Sequence, residues 1–155
     1  SSLFQNYCAY CGTQKETGDH VPSKILLDEP YPNHLPIVPA CKKCNLGFSL
    51  DEEYLACLLD CVITGNVDVN EGKRLKVRKA LDHSPKLRKM LNDSKKTLPD
   101  GSISFEADRE RVEKVVLKLA RGHSLYELNE YHIESPSRIF MRPIPLMTSQ
   151  DKEKL

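Results

Sequence analysis

The 155-residue chain has no apolar run approaching the roughly 20 residues that a membrane-crossing helix requires. Its first residues lack the charged and apolar regions of a secretory leader. Together these absences set an expectation of a cytoplasmic protein with no membrane partner. A global charge excess is missing too: 23 Lys and Arg stand against 22 Asp and Glu, for a net charge of +1. The chain as a whole is therefore not the strongly basic kind that coats nucleic acid. No internal repeat divides it. Composition is otherwise that of a globular protein, with 39% apolar and 29% charged residues, and the length allows one domain or a small domain with an extension.

The near-neutral total hides an uneven distribution. Residues 1–70 hold 4 Lys/Arg and 9 Asp/Glu, whereas residues 71–96 hold 10 and 3. The middle of the chain thus carries a local cationic excess. Cysteine, by contrast, is plentiful. Four of the six form two CxxC pairs, Cys8-Ala9-Tyr10-Cys11 and Cys41-Lys42-Lys43-Cys44, with 29 residues between them. Each CxxC lets two thiolates reach one ion from a tight turn, and four sulfurs close a tetrahedral shell. A structural Zn²⁺ is the expected occupant, since it can replace core that a proline-rich segment of this size cannot bury. The other reading of six cysteines, three disulfides in a secreted protein, does not suit the spacing. Cys57 and Cys61, four apart on a predicted helix, read as small core residues.

Five of the ten prolines lie between residues 22 and 39, so loop and short strand are expected there. Residues 13–18 read as a polar turn, and 35–39 as a short edge strand. A helix is predicted to start near Cys41 and to be interrupted at Gly47 and Ser49. A second is predicted over 50–63, opened by a Ser49–Glu52 capping box, with Leu50, Tyr54, Leu55, Leu58, Leu59 and Val62 as its apolar face, and stopped at 64–66. Residues 73–92 read as two short basic helices broken at Ser84-Pro85. A turn follows at 99–101 and a strand at 103–105. Residues 107–121 form the clearest helix, with Val112, Val115, Val116, Leu119 and Ala120 on one face and Gly122 as its stop. A frayed tail is expected after Arg138.

The chemistry centres on Asp19-His20 and Asn45. A histidine of ordinary pKa can take a proton from water at neutral pH. Asp19 cannot easily share the face of His20 on an extended strand, but it can point to a cation. Asn45 offers a neutral carbonyl oxygen, which beside one carboxylate suits Mg²⁺ or Mn²⁺ and leaves room for waters and phosphate oxygens. A cap on the knuckle helix is the alternative use of Asn45.

The series Cys8-Ala-Tyr-Cys11, Asp19-His20-Val21-Pro22 and Val38-Pro39-Ala40-Cys41-Lys-Lys-Cys44-Asn45 resembles the zinc-stapled HNH endonucleases of the ββα-metal fold. Residues 47–54 and 115–122 are more loosely similar to bacterial HNH proteins with a helical C-terminal half. The resemblance implies an α+β fold, with an HNH core over 1–64 and a helical accessory region over 65–155. It implies His20 as general base, and Asp19 and Asn45 as ligands of a catalytic Mg²⁺. At the middle signature position, usually Asn, stand Asn33 and His34. His34 is preferred by its distance to Cys41, as the residue that steadies the base-bearing loop. The implied activity is hydrolysis of phosphodiester bonds, with DNA the expected partner and 5′-phosphate and 3′-hydroxyl ends as products. A homodimer or partner subunit would allow double-strand breaks.

The basic segment could track a phosphate backbone through Lys73, Arg74, Lys76, Arg78, Lys79, Arg88 and Lys89, or could be a solvated helix face. His83, His123 and His132 read as ordinary histidines. The rival from another class is a zinc-knuckle adaptor that binds nucleic acid or protein without cutting.

Overall fold

The computed structural model describes residues 3–70, 72–142 and 148–153, in a mixed α/β arrangement. After a short 3-10 turn, strand β1 (Thr17–His20) pairs antiparallel with β2 (Ile37–Ala40), setting Asp19 opposite Val38 and His20 opposite Ile37. Thr17 and Gly18 thus open a strand, where the sequence suggested the end of a polar turn. The proline-rich stretch between β1 and β2 is loop apart from one 3-10 turn at Lys24–Leu26, as its composition requires. Its Val21–Pro22 and Glu29–Pro30 peptides are cis.

Strand β2 runs directly into the long helix α1 (Lys42–Thr64). The expected interruption does not occur. Gly47 is a solvent-facing interior position, with no atom within 4 Å of where a Cβ would stand. Its intrinsic cost of about 1 kcal/mol is offset by the packing of α1 on its neighbours. Ser49 caps nothing; its hydroxyl donates to the Leu46 carbonyl. The helix ends at Gly65, whose φ of 72° is the left-handed conformation that only glycine adopts without strain.

The buried face of α1 matches the apolar spacing only in part, at Tyr54 and Leu58. Leu50, Leu59 and Val62 are exposed, while Tyr54, Ala56, Cys57, Leu58 and Cys61 are buried together with Glu52 and Asp60. Two carboxylates can face inward because each meets a cation: Glu52 pairs with Lys118, and Asp60 with Arg74. Helices α2 (Leu75–His83) and α3 (Pro85–Ser94) close this core with Val77, Leu81, Leu87 and Leu91. They break where the sequence predicts: the Ser84 hydroxyl accepts the Leu87 amide and Pro85 takes the first helical position. The hairpin of β3 (Lys95–Thr97) and β4 (Ile103–Phe105) follows, turning through Gly101.

Helix α4 (Arg109–His123) is capped by Asp108 and packs along α1. Gly122 is not its stop. The chain continues through it into a π-helical turn (Ser124–Leu128), and Asn129, in the left-handed conformation, ends the run. Gly122 serves for close approach instead: a Cβ there would stand 2.6 Å from Val21 Cγ2. This contact brings α4 against the residue that follows His20. Leu125 and Leu119 join Cys8, Ala9, Tyr10, Val21, Val38, Ala40 and Cys41 in a second core. The C-terminal half therefore completes the interior of the N-terminal half. Beyond Arg138, where a frayed tail was expected, Thr148 caps a short helix α5 (Ser149–Lys152), and residues 143–147 and 154–155 lie outside the described residues. Among the described residues no helix is long and apolar enough to cross a membrane.

Candidate metal centre and its neighbouring site

The two knuckles meet. The sulfurs of Cys8, Cys11, Cys41 and Cys44 all lie within 4.8 Å of one another, and all six cysteines are free thiols. Local chain chemistry builds each half. Gly12, with φ 73°, turns the chain so that its amide reaches the Cys8 carbonyl, and the Tyr10 amide points at Cys8 Sγ. Cys41 is the N-cap of α1, and its sulfur accepts the Cys44 amide at 3.3 Å.

The geometry fits a tetrahedral dication. With Zn–S bonds of about 2.3 Å, the edge of a ZnS₄ tetrahedron is about 3.8 Å, and Cys11 and Cys41 Sγ stand 3.8 Å apart. Burial pushes the Cys8 and Cys44 thiols up. The Cys44 amide holds Cys41 down to about 6. At Cys11 desolvation is outweighed by hydrogen bonds from Thr13 and neighbouring thiols, so its pKa is lowered. Four thiols this close cannot all ionise without a cation among them. The cluster could therefore hold one structural metal ion such as zinc.

Next to the knuckles, β1 presents Asp19 and His20 to opposite sides, as alternation along a strand dictates. Asp19 is 6% exposed and His20 half-buried. The Asp19 carboxylate is held by two groups on a single oxygen. Oδ2 accepts the Tyr10 hydroxyl at 2.8 Å and the Lys118 ammonium at 2.8 Å. Oδ1 takes no hydrogen bond from another described residue. Burial and the adjacent Asp19 carboxylate raise the Tyr10 hydroxyl pKa far above its usual value. Lys118 has no exposed side-chain surface and also bonds Glu52 Oε1. The Tyr10 and Phe48 rings flank its ammonium at 5.8 and 5.5 Å.

Asn45 lies in the first turn of α1, and its amide nitrogen donates to the Cys41 carbonyl. Cys41 is the cap, so the Asn45 side chain is not used for capping and bonds no other described residue. His34 is exposed on the loop before β2. No hydrogen bond joins the Asp19, His20, His34 and Asn45 side chains to one another.

The basic segment divides in two. Lys73 and Arg74, expected on a phosphate path, are engaged within the protein. Lys73 is 3% exposed and its ammonium donates to Thr64 Oγ1 and Asn66 Oδ1. Arg74 is spent on Asp60 and on the Ile25 and Ala56 carbonyls. Both tie α2 to the end of α1. Arg78 and Arg88 are half-buried, while Lys79 and Lys89 are exposed, Lys89 beside Asp93. Lys76 lies over the Tyr31 ring at 4.4 Å, on the loop that follows His20.

The residues that sequence reasoning missed are Tyr10, Glu52 and Lys118. One signal was present: Lys118 falls three residues after Val115 and four before Gly122, inside the buried stripe of α4. Comparison with protein-family models, curated proteins and solved structures gives no significant match to the chain.

Proposed function

We propose that the chain is a metal-dependent endonuclease of the HNH kind, cutting phosphodiester bonds in nucleic acid, DNA foremost, around a zinc-stapled ββα core. The observation that carries this reading is the disposition of three side chains beside the thiol cluster. Among the described residues, Asp19 keeps Oδ1 clear of hydrogen-bond partners, Asn45 keeps its side-chain amide clear of capping, and the His20 ring takes no hydrogen bond. Asp19 and Asn45 supply oxygen donors suited to a divalent cation. Such an ion, when bound, neutralises charge on phosphate oxygens.

In this reading His20 takes the proton of the attacking water, a role worth roughly 10²–10⁴-fold in rate. The four-thiolate zinc leaves no open coordination position and serves the fold alone. Lys76 and Lys79 carry the phosphate path, with Arg88 and Lys89 further along the segment. A non-cleaving adaptor is favoured by one observation, the engagement of Asp19 with a buried ammonium.

Labelled duplex DNA, single-stranded DNA and RNA, each assayed for binding and for cleavage, separate the two readings. Wild type is expected to cut at least one of them, and His20→Ala to bind it without cutting. Binding with no cleavage by either protein establishes the adaptor.

A further inference from the structure

We infer that Lys118 is a positioning residue of the candidate nuclease site, reaching from α4 to fix the Asp19 carboxylate so that only Oδ1 is presented to a cation. The inference rests on the proposed function and extends it to the C-terminal half of the chain. Ninety-eight residues lie between the partners in sequence. A solvent-bridging lysine would leave its ammonium in water. This one is wholly enclosed, between Asp19 Oδ2 and Glu52 Oε1, with aromatic rings beside it.

Both of the contacts that hold Asp19 converge on one oxygen, and they come from different directions in the chain: Tyr10 from the first knuckle and Lys118 from α4. A carboxylate gripped in this way cannot turn to offer both oxygens. It is limited to one metal bond, which keeps coordination positions for waters and phosphate. The supporting contact is itself anchored by Glu52, near the middle of α1 at the start of its buried face. Beside it, the close contact of Gly122 with Val21 keeps α4 in place against the strand end.

A structural ion pair and a positioning device differ in what their loss does. Removing the ammonium takes a positive charge away from Asp19 and leaves Oδ2 held by the Tyr10 hydroxyl alone. Cation binding should then be unchanged or tighter, while turnover falls because the ion is held in the wrong manner. Misplacement by about 1 Å costs on the order of 10²-fold.

The test uses the zinc-loaded full chain as wild type, Lys118→Met and the charge-balanced double variant Glu52→Gln/Lys118→Met. Mn²⁺ binding is read from the free-ion electron paramagnetic resonance signal, cleavage from single-turnover kinetics, and folding from zinc content and melting. The expected result is Mn²⁺ affinity equal to or above wild type in a folded variant, with turnover lowered by roughly tenfold to 10²-fold. Retained turnover overturns the inference, and so does parallel loss of Mn²⁺ binding and turnover. Failure of both variants to fold assigns Lys118 to stability alone and overturns it as well. If wild type itself neither binds Mn²⁺ nor cuts, the nuclease reading fails and the inference falls with it.

Discussion

Two glycines lie inside helices of this protein, and the structure gives them opposite fates on substitution by alanine. At Gly47 the added methyl meets nothing within 4 Å. Only the backbone term operates there, and Gly47→Ala should stabilise by about 1 kcal/mol. At Gly122 the same gain is opposed. The new Cβ would stand 2.6 Å from Val21 Cγ2, 2.8 Å from Cγ1 and 3.2 Å from Cβ. Val21 is fully buried against the knuckle core and is β-branched, so no rotamer change relieves all three contacts. Overpacking of this kind costs about 1–3 kcal/mol. Gly122→Ala should therefore be less stable than Gly47→Ala by about 1–3 kcal/mol, or roughly 2–12 °C in melting temperature at this chain length. Urea and thermal melts of the two variants, run with equal zinc content, measure the difference. Equal or greater stability of Gly122→Ala would refute the close contact between α4 and Val21.

Two further predictions concern the thiols. A strong zinc chelator should expose the four knuckle thiols to a thiol reagent and lower the melting temperature, while Cys57 and Cys61, in the other core, stay protected until urea is added; unchanged reactivity would count against a bound metal. Burial pushes the Cys57 thiol up to about 12 from an ordinary 9.0. Above pH 9 the unfolded chain then holds fewer protons than the native one, so stability falls as pH rises from 9 toward about 12. Stabilities from urea melts at pH 8 and 10 should show a smaller drop for Cys57→Ala than for wild type, by about 1.4 kcal/mol over the interval, and equal drops would place Cys57 outside the core.

What the sequence revealed were features whose cause is local. The Ser84-Pro85 break, the Gly65 stop and the strand leading into Cys41 each follow from one or two residues and their backbone preferences. The knuckles were legible because ligand spacing is itself local. Readings failed where distant partners decide. The apolar spacing of α1 marks Leu50, Leu59 and Val62, yet these are exposed, because Glu52 and Asp60 turn inward to meet Lys118 and Arg74. Gly47 looked like a breaker since packing that outweighs its propensity is not visible in its neighbours. Gly122 looked like a stop because its true reason is Val21, 101 positions earlier. In the basic segment, composition could not distinguish Lys73 and Arg74, which hold α2 onto α1, from Lys79, which faces solvent.

If the proposed function holds, His20 is the base that acts on a phosphodiester beside a zinc-stapled scaffold. Supercoiled plasmid incubated with wild type and with His20→Ala, each with Mg²⁺ or with EDTA, and with zinc measured on both proteins, tests it most directly. Nicking or linearisation is expected of wild type with Mg²⁺ alone, and none of His20→Ala carrying the same zinc content. Cleavage by His20→Ala at the wild-type rate, or no cleavage by a zinc-loaded wild type, would contradict it.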